Sequence, residues 1–199
     1  MTAVGEPSTA DRPDRDPLLQ RSGTATAQSE NGAPPQPATE RVPEQSYPMS
    51  FEAQVRAAPS VPAIEWRNDR WSYRELNARA NQIAHWLIAR GIGPERLVGV
   101  AVPRSAAQIA VILGVVKTGA AYLLINPAHP AERIRSMTTD ARPAFVLTTS
   151  CTTQDLAGVL AVEAVAVDAP DVVSAWERCA RTDPEDDDRL QPLSPVQLT

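Results

Sequence analysis

The chain has 199 residues, 43% hydrophobic and only 5% aromatic, with 19 prolines and a formal net charge of −5. Charges of both signs are mixed along it, which excludes the basic footprint of a nucleic-acid binder. No uninterrupted apolar run approaches the roughly 20 residues of a membrane-crossing helix.

The polar N-terminus lacks the apolar core of a signal peptide. Cys151 and Cys179 fit no zinc or redox spacing, so a reduced cytoplasmic setting with two inert thiols is expected. Lys117 is the single lysine among many arginines. With abundant Ala, Pro, Asp and Val, this bias suggests a GC-rich bacterial coding sequence.

Residues 1–46 carry no aromatic side chain and no isoleucine. Such a Pro/Ser/Ala-rich segment cannot bury enough apolar surface to offset backbone entropy of roughly 1–2 kcal/mol per residue. A disordered linker tail is expected there. From Tyr47 the pattern changes. "FEAQVRAAP" reads as a short helix ended before Pro59. "PAIEW" and "RWSY" flank the polar "RNDR" as a hairpin. Ser72 with Glu75 forms a capping box, and Leu76, Ala80, Ile83, Ala84 and Leu87 recur at helical spacing up to Gly91.

"RLVGVAV" has strand length and no polar break. Ser105 with Gln108 opens the next helix, with Ile109, Ile112, Leu113 and Val116 as its inner face and Gly119 as its stop. "AYLLI" follows as a buried strand, "PAERIRSMTTDA" as a helix, "AFVLTT" as a strand, and "TQDLAGVLA" with "VEAVAV" as a weaker helix–strand pair. The remainder, "DAPDVVSAWERCARTDPEDDDRLQPLSPVQLT", reads as polar loop. Wholly apolar strands alternating with helices of about a dozen residues predict an α/β fold. Its mostly parallel sheet is doubly wound, with helices on both faces.

Chemistry is sparse. No glycine follows Gly158, and no glycine-rich phosphate cradle is present. His85 sits on a helix face. His129 lies in the Asn-Pro turn at a strand's C-terminal end, without the cysteine, carboxylate pair or second histidine that a triad or metal site needs. Lys117 precedes a helix-ending glycine, where a cation complements the helix dipole. "TTSCTT", residues 148–153, is explained by helix capping. The run from Asp183 to Arg189 reads as a solvated acidic loop, since no glycine turn shapes it for calcium. On residues alone, no catalytic, cofactor-binding or metal residue is assigned.

"WSYREL" (Trp71–Leu76) resembles the first signature, L-T-Y-x-E-L, of the amino-acid-adenylating domains of nonribosomal peptide synthetases. "VVKTGAAYLLINPAHPAERI" (Val115–Ile134) resembles their second, L-K-A-G-A-A-Y-L-P-L-D-P-x-Y-P-x-E-R. "ARPAFVLTT" is similar to the strand that follows. Asn126 stands for the usual aspartate, His129 for tyrosine and Leu124 for proline. These substitutions keep the turn's shape, and Asn hydrogen-bonds its own turn as Asp does.

The resemblance implies the N-terminal subdomain of the adenylate-forming fold over residues 47–199, ending before the phosphate-binding loop. The family joins an amino acid to ATP, with Mg²⁺ neutralising phosphate charge, and passes the acyl group to a carrier-protein thiol. The partners it implies are the remainder of the adenylation domain and a carrier protein. The phosphate loop, amino-acid pocket, ribose aspartate and catalytic lysine all belong downstream, so this chain by itself is expected to be inactive. Tyr73, Glu75, Lys117, Gly119, Tyr122, Asn126 and Pro127 are expected to be structural.

An acyl-CoA or fatty-acyl-AMP ligase would share the fold, and a non-catalytic interaction module is the alternative of a different class. An N-terminal portion ending at Thr199 is also expected to leave an apolar sheet edge open and to associate.

Overall fold

The computed structural model describes residues 47–67 and 69–190. The tail expected over residues 1–46 lies outside them. α1 (Tyr47–Ala57) ends ahead of Pro59, and β1 (Pro62–Trp66) pairs antiparallel with β2 (Asp69–Ser72), setting Ile64 opposite Trp71. α2 (Tyr73–Ile88) opens on the full capping box. The Ser72 N–H donates to Glu75 Oε2 at 2.8 Å and the Glu75 N–H to Ser72 Oγ at 3.3 Å. The backbone and hydroxyl donors of Ser72 hold the Glu75 carboxyl below its usual range. All five expected inner-face residues of α2 are buried.

The next elements alternate in the expected order: β3 (Leu97–Val100), α3 (Ala106–Lys117), β4 (Ala121–Leu124), α4 (Ala131–Ala141), β5 (Val146–Thr148), α5 (Ser150–Asp155) and β6 (Ala164–Ala166); α6 (Pro170–Glu177) follows where loop was expected. The four strands β3 to β6 form one parallel sheet in the order β4-β3-β5-β6. Side chains alternate across it, so two cores form. Val98, Val100 and Leu147 pack with Ile83, Leu87, Val111 and Val115 of α2 and α3. Ala101 and Val146 pack with Ile134 of α4 and Leu156 beyond α5. Each fully buried aliphatic side chain contributes about 1.5–3 kcal/mol.

α2 and α3 approach closely because Gly114 has no side chain. A Cβ there would stand 2.6 Å from Ile83 Cγ2 and 3.1 Å from the Ala80 carbonyl oxygen. Gly119, at φ 84, turns the chain from α3 into β4, a conformation that glycine adopts without strain.

Four expectations change. Ile109 is 41% exposed; α3 packs on both the sheet and α2, and its buried stripe centres on Ala106, Ala110, Val111 and Leu113. "AYLLI" is not a doubly covered strand: β4 is an edge, with Tyr122 and Leu124 exposed. α5 starts earlier and is shorter than the pattern suggested, because Thr149 caps it and Gly158 turns the chain at φ 72.

The C-terminal remainder is not all loop. It contains α6, with Pro170 in its first turn, followed by a segment tied across α2 and α3. The Arg181 carbonyl accepts from Asn81 Nδ2 at 2.8 Å, and the Thr182 carbonyl lies 3.0 Å from His85 Nε2.

Candidate functional site

β3 and β5 are neighbours, yet the chain leaving β3 climbs to α3 on one face and the chain leaving β5 goes to α5 on the other. Their divergence makes a topological switch point, where doubly wound sheets open a crevice beyond the strands' carboxyl ends. A cleft of about 630 Å³ lies there, with Pro103, Arg104, Gln108, Asn126, Thr149 and Cys151 among its walls.

The polar groups of this crevice are mostly occupied by one another. Ser105 Oγ accepts the Gln108 N–H at 3.2 Å and caps α3. Thr149 Oγ1 accepts the Thr152 N–H at 3.2 Å and caps α5. The N–H and Oγ of Ser150 both donate to Asp168 Oδ1, at 2.6 and 2.9 Å. Thr148 and Thr153 share a hydroxyl–hydroxyl bond. Asn126 Oδ1 accepts the Ala128 N–H at 3.1 Å, and the His129 N–H donates to the Asn126 carbonyl at 3.0 Å. The Asn-Pro turn therefore carries its own hydrogen bonds, as the side-chain chemistry of asparagine predicts.

His129 keeps its Nδ1 buried without a partner, and no group of three or more metal-type side chains forms among the described residues. Cys151 is exposed on the crevice wall. Burial pushes the Cys179 thiol up from its ordinary pKa. It donates to the Ala175 carbonyl at 3.3 Å, so of the two only Cys179 has the sequestered setting of an inert thiol.

Lys117 is elsewhere. α3 runs back from the crevice, so its last residue lies at the opposite end of the sheet. There Lys117 is fully buried, paired with Glu52 of α1 and, at 3.0 Å, with Asp183. Asp183 also accepts from Asn77 at 2.8 Å and Asn81 at 2.9 Å. Burial alone would raise the Asp183 carboxyl. The Asn77 bond, the Lys117 charge and the Asn81 bond outweigh it and hold the group below its usual range. Arg189 Nε closes the cluster on the Lys117 carbonyl at 3.0 Å.

The helix-dipole reading of Lys117 is thus replaced by a buried ion cluster, and Asp183 is no solvated loop residue. The signal for this cluster was faint: a lone lysine in an apolar helix, and two asparagines four apart on the buried stripe of α2. The other scaffold residues fall at joints. Tyr73 packs on Phe51 with ring centroids 6.0 Å apart, Glu75 caps α2, Gly119 turns into β4, Tyr122 lies on that strand, and Pro127 follows Asn126 in the turn.

The sequence profile of a family described as AMP-binding enzyme matches residues 51–198. The chain belongs to the AMP-binding enzymes. It is similar to a dimodular nonribosomal peptide synthase of Bacillus subtilis (strain 168), 38% identical over 161 residues, covering 81% of this chain and 7% of that protein. Novobiocin biosynthesis protein H of Streptomyces niveus is 38% identical over 148 residues, covering 74% of this chain and 25% of that one. The chain therefore spans only a small part of the length of these relatives.

Among solved structures, the nonribosomal peptide synthetase FmoA3 (S1046A) in its alpha-methyl-L-serine-AMP bound form superposes with a TM-score of 0.60. It is 28% identical, over 72% of this chain and 15% of that one. VinN, at a TM-score of 0.61 and 22% identity, shares the fold. The family read from the two signatures is the family found, and in this AMP-binding enzyme the second signature forms a switch-point wall.

Proposed function

We propose that this chain is the N-terminal portion of an amino-acid-adenylating domain of a nonribosomal peptide synthetase, with residues 47–199 as its framework. The carrying observation is the second signature folded as a self-bonded Asn-Pro turn at the switch point of a doubly wound sheet. In the intact enzyme an amino acid and ATP give aminoacyl-AMP and pyrophosphate, and the acyl group passes to a carrier-protein thiol. The remaining part of the domain and the carrier protein are its partners, in the cytoplasm. No helix among the described residues is long and apolar enough to cross a membrane.

The described residues do not fit the phosphates of ATP or their Mg²⁺. A phosphate cradle needs free backbone N–H groups with a cation close by. Here Ser105, Thr149 and Asp168 already accept N–H groups in the first turns of α3 and α5. Lys117 is committed to Glu52 and Asp183 at the far end of the sheet, which leaves Arg104 as the cation on the crevice wall, and arginine supplies charge but not the close backbone approach that glycine permits. What this part supplies is shape: two loops and a turn held open against one another, forming one wall of a larger site.

The test is amino-acid-dependent exchange of pyrophosphate into ATP by the 199-residue chain, with ATP calorimetry beside it. Neither exchange nor saturable ATP binding is expected. Micromolar ATP affinity would overturn the framework reading. So would coding DNA beyond Thr199 that holds, in no frame, a strand followed by a Ser/Thr/Gly-rich loop and a lysine.

A further inference from the structure

β4 is a terminal strand of the sheet, and its backbone groups fall into two sets. The Ala121 N–H donates to the Arg96 carbonyl and the Ile125 N–H to the Val100 carbonyl, each at 2.9 Å. Successive residues of a strand turn their backbone groups to opposite edges. Ala121, Leu123 and Ile125 therefore face β3, while the N–H and carbonyl groups of Tyr122 and Leu124 face outward. Among the described residues no strand pairs with that outer side.

The side chains of the same two residues are uncovered. Tyr122 and Leu124 lie in register with Val98 and Val100 of β3, and neighbours in register share a face of the sheet. Val98 and Val100 are fully buried in the core with α2 and α3, whereas Tyr122 is 45% and Leu124 51% exposed. The helical layer stops over β3. Two N–H groups, two carbonyls and two large apolar side chains are thus left open in one short strip.

Native edges are blunted by charge, by proline or by being short. β6, the other terminal strand, has three residues set between Glu163 and Asp168. Around β4 no residue from Thr118 to Ala131 carries a formal charge. The signature that this stretch resembles places proline at position 124, where the outward N–H would be lost. Leu124 restores that donor.

We propose that β4 is the joint of a homodimer, a second copy of this chain adding its own β4 antiparallel about a two-fold axis at Leu123. In that register Tyr122 of one copy stands opposite Leu124 of the partner subunit, and each such pair exchanges both N–H···O bonds. The two Leu123 residues meet on the axis as the pair without hydrogen bonds. Charge complementarity selects a second copy. Every outward N–H meets a carbonyl, neutral residues oppose neutral residues throughout, and the net charge of −5 arises outside the strip. One patch serves both copies, so the assembly closes at two. The pairing stands whether or not the chain takes part in adenylation.

The test is sedimentation equilibrium of the 199-residue chain, with amide exchange followed by NMR at low and high protein concentration. A reversible dimer with a dissociation constant of roughly 10–100 µM is expected, since small interfaces bind weakly. The Tyr122 and Leu124 amides should be protected only at high concentration, and those of Ala121 and Leu123 at both. Leu124→Pro removes one donor per copy but no bond to β3, and should weaken the dimer by about tenfold or more. Leu124→Val keeps the N–H and should stay within about threefold of the wild type.

A chain that is monomeric throughout would overturn the proposal. So would dimers whose Tyr122 and Leu124 amides exchange as freely as in the monomer, open-ended aggregates in place of dimers, or a Leu124→Pro dimer as tight as the wild type. The wild-type measurements decide by themselves, so a variant that fails to fold does not shield the proposal.

Discussion

The two ends of the sheet satisfy their polar groups in opposite ways. At the crevice end the capping and turn partners are two or three residues apart: Ser105 with Gln108, Asn126 with Ala128, Thr149 with Thr152; Ser150 with Asp168, 18 apart, is the exception. At the Lys117 end the partners are 65 residues away in Glu52, 66 in Asp183 and 72 in Arg189. Loops that bond to themselves stay in shape while remaining open, which suits the rim of a binding cleft. A cluster fed from distant segments closes space and ties the fold. The comparison teaches that polar side chains in one small layer can serve two ends: keeping a mouth ajar, and holding the back shut.

Breaking the far cluster should have the largest effect. Lys117→Met leaves Glu52 and Asp183 without their buried cation, and removing one partner of a buried pair costs about 3–5 kcal/mol. Urea denaturation should show that loss. Lys117→Met with Asp183→Asn should recover part of it, whereas an equal loss in the double variant would show that the cost lies in packing alone. Next comes the helix contact beside the cluster. Gly114→Ala pushes a methyl group to 2.6 Å from Ile83 Cγ2 and should cost about 1–3 kcal/mol by overpacking; Ile83→Val in the same chain should relieve some of it.

The crevice end should respond less. Thr149→Ala and Ser105→Ala each remove one cap and should cost about 1 kcal/mol, read as a parallel shift of the denaturation midpoint. A loss as large as that at Lys117 would erase the distinction between the two ends.

Acid sharpens the same contrast. The Asp183 carboxyl is held below its usual 3.8 in the fold, so its contribution is present above the unfolded value and is lost as pH falls through the folded one. Stability should hold from neutral pH down to about 4 and fall below it. Asp183→Asn should make that acid limb shallower without altering the response of Thr149→Ala.

What could be read from the sequence follows the same division. The capping box of Ser72 and Glu75, the Ser105 cap, the Asn126 turn and the glycine stops all depend on neighbours a few residues away, and they stand where the pattern put them. The doubly wound sheet was legible because its strands and helices alternate at two distinct periods. The partners of Lys117 were not legible, because no local rule connects a lysine to an aspartate 66 residues later.

The exposure of β4 was hidden for a related reason. "AYLLI" has the composition of a central strand, and only the order β4-β3-β5-β6 makes it an edge. α6, at eight residues, was too short for periodicity to speak, although Pro170 and Asp171 are suitable first-turn residues. At the crevice the local bonds were readable, whereas the bond from Ser150 to Asp168, 18 residues further on, was not.

The span between Lys117 and its acidic partner also sets a clock. A ribosome adding about 5–20 residues per second needs roughly 3–13 s to travel from the lysine codon to that of Asp183. Glu52 is already made by then, so the nascent chain passes through an interval in which one carboxylate alone faces the ammonium group. Closing the back of the sheet over an ammonium group that has only one of its two carboxylate acceptors leaves buried N–H donors unpaired and is costly, and the α2–α3 pair is therefore expected to stay loosely docked until the segment beyond α6 emerges. A pause in translation between α3 and α6 would lengthen that exposed interval, and synonymous codons there become a lever on the yield of folded protein.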